Sequence, residues 1–281
     1  MDIVFDKLNE LRAKGIAAML VTVVAKTGEG PLEPGKKMVV GENGDAFGTV
    51  GGGAIERFAR DKCQTLIATR TSMMERYLLK EGKVLPEHET MPMACGGTAT
   101  LFYDYVGAKE YVYIFGAGHV GQALANVLKT LPYHVTAIDD RHDVLSAFRN
   151  ADVKVEKPFA AFLDEDGVRP GAFVVVCTPS HTYDYHVMNK IIERKLPVQY
   201  VGMLCSETKI AEYLDQTYAA FGPNVDLSRF YSPVGLDLGG GSPEEIAISI
   251  AAEILAVANG KPGHSHMRET HCHGPRRYWN G

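Results

Sequence analysis

No stretch of this chain holds the roughly 20 consecutive apolar residues that a bilayer span requires, so a membrane-spanning helix is not expected. Neither sign of charge dominates. The 29 Lys and Arg stand against 34 Asp and Glu, and the net charge of -5 argues against a general nucleic-acid surface. A secretory leader is not expected either. The opening MDIVFDKLNELRAKG has acids early and an amphipathic helical pattern, where a leader needs a basic start and a longer apolar run. Cysteine is sparse and scattered, at Cys63, Cys95, Cys177, Cys205 and Cys272. With no export signal, those positions read as reduced thiols of a cytoplasmic protein, not as a disulfide framework. No internal repeat is visible.

What remains is a globular composition, 46% apolar over 281 residues, enough for about two domains and a sizeable core. The most informative stretch is Tyr111–Gly121, YVYIFGAGHVG. An apolar run meets G-x-G-x-x-G, and the residues that follow carry apolar side chains at helical spacing. In this motif Gly116 permits the tight turn, Gly118 lets backbone approach a phosphate, and Gly121 allows close helix–strand packing. The helix start, at His119, offers N–H groups and a partial positive charge to an anion. Asp139 ends the next strand about 20 residues on, where an acid can hold a ribose hydroxyl. Further strands are expected near 152–156, 172–178 and 197–203. The pattern predicts a Rossmann unit.

Strand C-terminal ends are where ligands bind in such sheets. The strand Phe173–Thr178 delivers Thr178-Pro179-Ser180-His181-Thr182-Tyr183-Asp184. His181 and Asp184 lie one helical turn apart. They could act together on a proton or a phosphate, or simply begin a helix. Cys205 and Ser206 end the following strand at the same rim, with Ser206 as the expected cap of a helix over 207–216.

The first part of the chain mixes strands and helices without clean βαβ alternation. A helix over 2–14 precedes a strand at 16–25, and further strands are expected at 37–40, 45–50, 75–80 and 98–106. Gly51-Gly52-Gly53 separates a strand from a helical stretch, with Glu56 in its first turn. That is either a second anion cradle or a tight connection whose acid complements the helix dipole. Cys95 is followed by Gly96 and Gly97, which remove side-chain cover. Backbone N–H groups nearby would activate such a thiol, and a buried structural cysteine is the alternative. The fold class expected is therefore α/β. A smaller α+β domain at 1–108 precedes a Rossmann-like parallel-sheet domain at 109–260, and a polar tail fills 261–281. In that tail His264, His266, His271, Cys272 and His273 could bind a metal.

Several motifs stand in one order: EPGKKMVV at 33–40, GTVGGGAIE at 48–56, ACGG at 94–97, IFGAGHVG at 114–121 and IDDR at 138–141. TPSHTYD at 178–184, YVGMLCSETK at 200–209 and SPVGLDLGGGSPEEIAISIAAEIL at 232–255 follow. In this the chain resembles the XdhC/CoxI family of xanthine dehydrogenase accessory proteins, over about 16–258. It departs from the family pattern at Leu32, where an Arg is usual, and at Cys205, where a Gly is usual. The resemblance implies a protein that binds molybdenum cofactor, a phosphate-bearing pterin. Such a protein supports the cofactor's sulfuration, with sulfur from a cysteine desulfurase, and inserts it into an apo molybdenum hydroxylase. It also implies a homodimer. Cys95 would serve the soft metal or the sulfur, and the two glycine turns would serve the phosphate. Two other readings are an NAD(P)-dependent oxidoreductase and a nucleotide-sensing regulator. Against the first, the sequence is read as carrying no Tyr-x-x-x-Lys pair and no other hydride-transfer signature.

Overall fold

The structure is a computed structural model that describes residues 3–28, 32–78, 89–90 and 97–261. Its contacts fall into two units, Met1–Lys109 and Glu110–Gly281.

In the first unit, helix α1 (Ile3–Ala13) buries Val4, Leu8 and Leu11. Strands β1 (Ala18–Gly28), β2 (Lys37–Gly41) and β3 (Ala46–Gly48) form an antiparallel meander. Helix α2 (Gly53–Thr69) leads to β4 (Met73–Leu78), β5 (Glu89–Thr90) and β6 (Gly97–Val106). The sheet order is β3-β2-β1-β6-β4-β5, with every pair antiparallel except β4 and β5. Alternation along β1 sorts its side chains between two cores. Met19, Val21 and Val23 meet Ile55, Ala59 and Cys63 of α2 on one face. Ala18 and Leu20 meet Val4, Leu8 and Leu11 of α1 on the other. Burial alone pushes the Cys63 thiol up to about 12, so it is an inert packing group. The strand β5 falls within 81–93, which the sequence presents as a loop. Two residues are too few for periodicity to show, and pairing with Tyr77 and Leu78 makes them a strand.

The second unit is a six-stranded parallel sheet. Strand β7 (Glu110–Phe115) is followed by α3 (His119–Leu128), β8 (Tyr133–Asp139), α4 (His142–Ala147), β9 (Val153–Glu156) and α5 (Phe159–Glu165). Then come β10 (Phe173–Val176), α6 (His181–Glu193), β11 (Tyr200–Met203), α7 (Glu207–Phe221), β12 (Phe230–Tyr231) and α8 (Pro243–Ala258). The order is β12-β11-β10-β7-β8-β9. Connectivity therefore runs outward in both directions from the β7/β10 pair, which makes that pair the switch point of the sheet. Strands β7 and β10 are buried along their full length, as a central parallel sheet demands. Val112, Ile114, Phe173 and Val175 pack under α3 and α8. Tyr113 and Phe115 turn to the opposite face, against Phe162 of α5. The sixth strand, β12, was not legible in the sequence for the same reason as β5. It extends the sheet by pairing with Val201 and Gly202.

The start of α8 is closed as its Ser-Pro-Glu-Glu sequence predicts. Ser242 Oγ accepts the Glu245 N–H, and Glu245 Oε2 accepts the Ser242 N–H at 3.0 Å. Farther along α8, Glu253 Oε2 accepts the Tyr200 hydroxyl at 2.5 Å and the Gly235 N–H at 3.0 Å, tying the 232–241 loop to the sheet.

One buried group on this sheet predicts a pH dependence. Both ring nitrogens of His134 are buried without a hydrogen-bond partner. Burial holds its pKa below the ordinary histidine value; Asp152 opposes this, and Arg169 and Lys129 reinforce it. The fold thus favours the neutral ring. Its stability is complete above the unfolded-state pKa of about 6.5 and declines as pH falls below that. Between about pH 7.5 and 5.5, the natural chain should lose a few degrees of Tm more than His134→Phe, equivalent to about 1 kcal/mol. Equal pH dependence in the two would remove His134 as the cause.

Candidate functional site

The turn after β7 is built by backbone crowding. Gly116 has φ of 112°, and a Cβ there would lie 2.3 Å from the Cys177 carbonyl oxygen. A Cβ at Gly121 would lie 2.1 Å from the Gly116 carbonyl oxygen. Gly118 differs: its φ is -73°, and nothing lies within 4 Å of where its Cβ would be. Two of the glycines are therefore demanded by packing, and the third faces open space. Gly118 is the N-cap of α3 and brings no side-chain cap, and His119 is exposed beside it. The first N–H groups of the helix have no intrahelical partner.

Asp139 lies under this turn. Its Oδ2 accepts the Ala117 N–H at 2.8 Å and Arg141 Nη2 at 2.7 Å, and its Oδ1 accepts Arg141 Nε at 2.8 Å. The side chain is fully buried. Burial alone would raise its pKa; hydrogen bonds from Arg141 and Ala117 outweigh that and hold it low. The spacing that suggests a ribose ligand thus places a carboxylate, held low in pKa, as a brace for the glycine turn.

Across the switch point, α6 begins with Ser180 as N-cap, again without a side-chain cap. His181 is exposed and sets its ring edge-on to Tyr185, with centroids 5.8 Å apart. Asp184 turns inward. Its Oδ1 accepts the Thr178 N–H at 3.0 Å and the Thr178 hydroxyl at 2.7 Å. Burial raises its pKa despite those bonds. His181 and Asp184 share one turn, but the carboxylate serves Thr178, a partner the sequence did not reveal. Cys205 is half-buried at the end of β11, and burial followed by the Asp184 charge pushes its thiol up. Cys177 is buried, its thiol raised to about 12 by burial. At the same rim, α7 is capped by Ser206 and α8 by Ser242 with Glu245.

In the first unit Gly51, Gly52 and Gly53 all have positive φ, at 135°, 74° and 68°. The Gly51 N–H goes to Thr49 Oγ1 at 3.0 Å, and the Gly52 N–H goes to Glu56 Oε2 at 3.1 Å. Glu56 Oε2 also accepts the Thr49 hydroxyl. These N–H groups are thus engaged within the turn, and Glu56 is the acid that closes it. The sequence left open whether that acid serves the helix start or a ligand, and Oε2 is committed to the first. A cavity of about 350 Å³ opens beside it, lined by Gly44, Gly53, Glu56, Arg57, Arg60, Asp61 and Gln64. The two arginines were not singled out in the sequence. They lie three apart on the solvent side of α2, a spacing that could have shown them.

Cys95 and Gly96 lie outside the described residues, as do His264, His266, His271, Cys272 and His273. Gly97 begins β6. Among the described residues no group of three or more His, Cys, Asp or Glu is placed to hold a metal ion, and no helix is long and apolar enough to cross a membrane. The expectation of no Tyr-x-x-x-Lys pair is corrected by Tyr105 and Lys109, which have that spacing in the first unit. The Tyr105 hydroxyl donates to the Ala108 carbonyl at 3.1 Å.

With this geometry in place, comparison with known proteins is decisive. Residues 112–254, about half of the chain, match the XdhC Rossmann domain, and residues 11–78 match the XdhC and CoxI family. The chain belongs to this family. The protein YqeB of Escherichia coli (strain K12) is 27% identical over 275 residues, 96% of this chain and 49% of that protein. A Bacillus subtilis (strain 168) protein described as a probable xanthine dehydrogenase subunit is 31% identical over 160 residues, 56% of this chain and 46% of that protein. This XdhC-family chain spans about half the length of both relatives. A crystal structure described as a xanthine dehydrogenase from Bacillus halodurans is 19% identical, with a TM-score of 0.49, covering 94% of this chain and 98% of that one.

The contrast among the three Rossmann glycines is testable. Gly118→Ala should keep the Tm of the natural chain, because its Cβ meets nothing, yet weaken nucleotide or phosphate binding at the α3 start. Gly121→Ala should cost about 2 kcal/mol or more, because the new methyl must displace backbone. Equal melting of the two variants would refute this division of labour.

Proposed function

We propose that this chain binds molybdenum cofactor as cargo, supports its sulfuration and delivers it to an apo molybdenum hydroxylase such as a xanthine dehydrogenase. The observation that carries the reading is the crevice at the β7/β10 switch point. There the uncapped starts of α3 and α6 face one rim, with Gly118 open and His119 and His181 exposed. Membership of the XdhC and CoxI family supports the same conclusion, as does likeness to the probable xanthine dehydrogenase component of Bacillus subtilis.

The residues fit such a cargo. Its phosphate or nucleotide end needs backbone N–H donors and a position without a side chain, and the α3 turn supplies both. His119 and His181 would contribute further donors to the anion. The cargo brings its own metal, held on the pterin. Cys95, in its Ala-Cys-Gly-Gly setting, is proposed as the thiol that meets the metal or the incoming sulfur. A cysteine desulfurase is the proposed sulfur source, and a homodimer the proposed working form.

The experiment is titration of the full chain with molybdenum cofactor, followed by gel filtration and metal analysis. Near-stoichiometric co-elution is expected, and it should fall clearly in Cys95→Ala while circular dichroism stays unchanged. Tight NAD(P) binding with no uptake of the cofactor would replace this reading with an oxidoreductase or a nucleotide sensor.

A further inference from the structure

The cavity on α2 is not used by the crevice, and its chemistry is specific. Glu56 Oε2 is saturated by the Thr49 hydroxyl and the Gly52 N–H. Its other oxygen, Oε1, has no hydrogen bond among the described residues and belongs to a side chain lining the cavity. An ionised carboxylate only accepts, so this oxygen seeks N–H or O–H donors. The wall beside it is bare, because Gly53 carries no side chain and a Cβ there would meet nothing within 4 Å. The Gly51 and Gly52 N–H groups are taken by Thr49 and Glu56, so those two donors are not offered to an anion. Arg57 and Arg60 line the same cavity with a second acid, Asp61; Arg60 reaches the Gly44 carbonyl at 3.3 Å, and Arg57, with no bond among the described residues, is the cation left to meet an anion. At about 350 Å³ the cavity is of small-molecule size. A fixed acceptor, a bare wall for a flat ring and an adjacent guanidinium suit a planar heterocycle with a donor edge and an anionic substituent.

We infer that this cavity binds a 2-amino-oxopyrimidine edge, with Glu56 Oε1 accepting from the ring N–H and the amino group and Arg57 facing the anionic substituent. Pterins and guanine share that edge. The inference rests on the carrier reading in that it assigns a pterin seat to the first unit. It goes further in naming the residues that recognise the ring. It uses only atoms of the first unit, and Glu56 acts as a binding residue in it.

The probes are pterin-6-carboxylate, GMP and AMP, each titrated into the full chain by fluorescence or calorimetry. Pterin-6-carboxylate, GMP or both should bind, and AMP, which lacks the donor edge, should not. Whichever of the two binds more tightly identifies the source of the edge. Glu56→Gln keeps an oxygen for Thr49 and Gly52 but replaces the free acceptor with a donor. It should weaken the probe about tenfold or more with the Tm maintained. Arg57→Ala changes an exposed side chain, so the fold is retained. It should weaken pterin-6-carboxylate severalfold and leave uncharged pterin unaffected. Equal binding of AMP, or full affinity in Glu56→Gln, would overturn the assignment. Molybdenum cofactor titrated in parallel separates the two proposals. Unchanged uptake of that cofactor by Glu56→Gln defeats the cavity and spares the carrier reading. Failure of uptake by the natural chain, with Glu56-dependent binding of pterin-6-carboxylate, does the reverse.

Discussion

Backbone lies directly on backbone where β7 ends, and the surroundings of the crevice follow from that contact. The carbonyls of Cys177 and Gly116 occupy the space that a Cβ would need at Gly116 and Gly121. With no side chain between them, the α3 turn and the end of β10 close to contact, and the Cys177 N–H bonds the Phe115 carbonyl at 2.9 Å. Asp139 secures the same turn from the β8 side through the Ala117 N–H. Thr178 and Asp184 secure the β10 side in an equivalent way. Each loop thus has a buried carboxylate beneath it, and the exposed groups above, His119 and His181, stand on a braced platform. This is how a site gains precision from side chains that never touch its ligand.

The two units handle glycine-rich turns in opposite ways. In the second unit the motif leaves its helix start open, and the acid sits below. In the first, Glu56 reaches back and takes the Gly52 N–H itself. Glu56 thereby sets its own charge at the positive end of the helix, which weakens the attraction for a phosphate there. The same act fixes the glutamate rotamer and leaves one oxygen uncommitted beside a cavity. The triple glycine serves this geometry, since three successive positive φ angles are strained for any other residue.

Much of the second unit was legible in the sequence because parallel strands are continuous apolar runs, and Tyr111–Phe115 and Phe173–Thr178 announced themselves. The Ser242, Pro243 and Glu245 pattern gave the start of α8 for an equally local reason. Glu89–Thr90 and Phe230–Tyr231 were not legible, since a two-residue strand exists only through its neighbour. Around the site the residue types were found, but their directions were not. Asp139 stands at the spacing of a ribose ligand, yet Arg141, two residues on, claims both of its oxygens. Asp184 was paired with His181 by helical spacing and proved to face Thr178. Spacing places side chains on a turn; which way a short carboxylate points depends on donors elsewhere in the chain.

The six helix starts that follow the strands of the parallel sheet are unequal. Those of α7 and α8 are closed by Ser206 and by Ser242 with Glu245, while those of α3, α4, α5 and α6 carry no side-chain cap. Each capping oxygen cancels part of the positive end of its helix. Only the helix starts on the β11 and β12 side have their positive ends partly cancelled by caps. A negatively charged molecule landing on the β11 or β12 side meets weaker helix ends there than at the switch point, so the pattern of caps works as a guide as well as a seat.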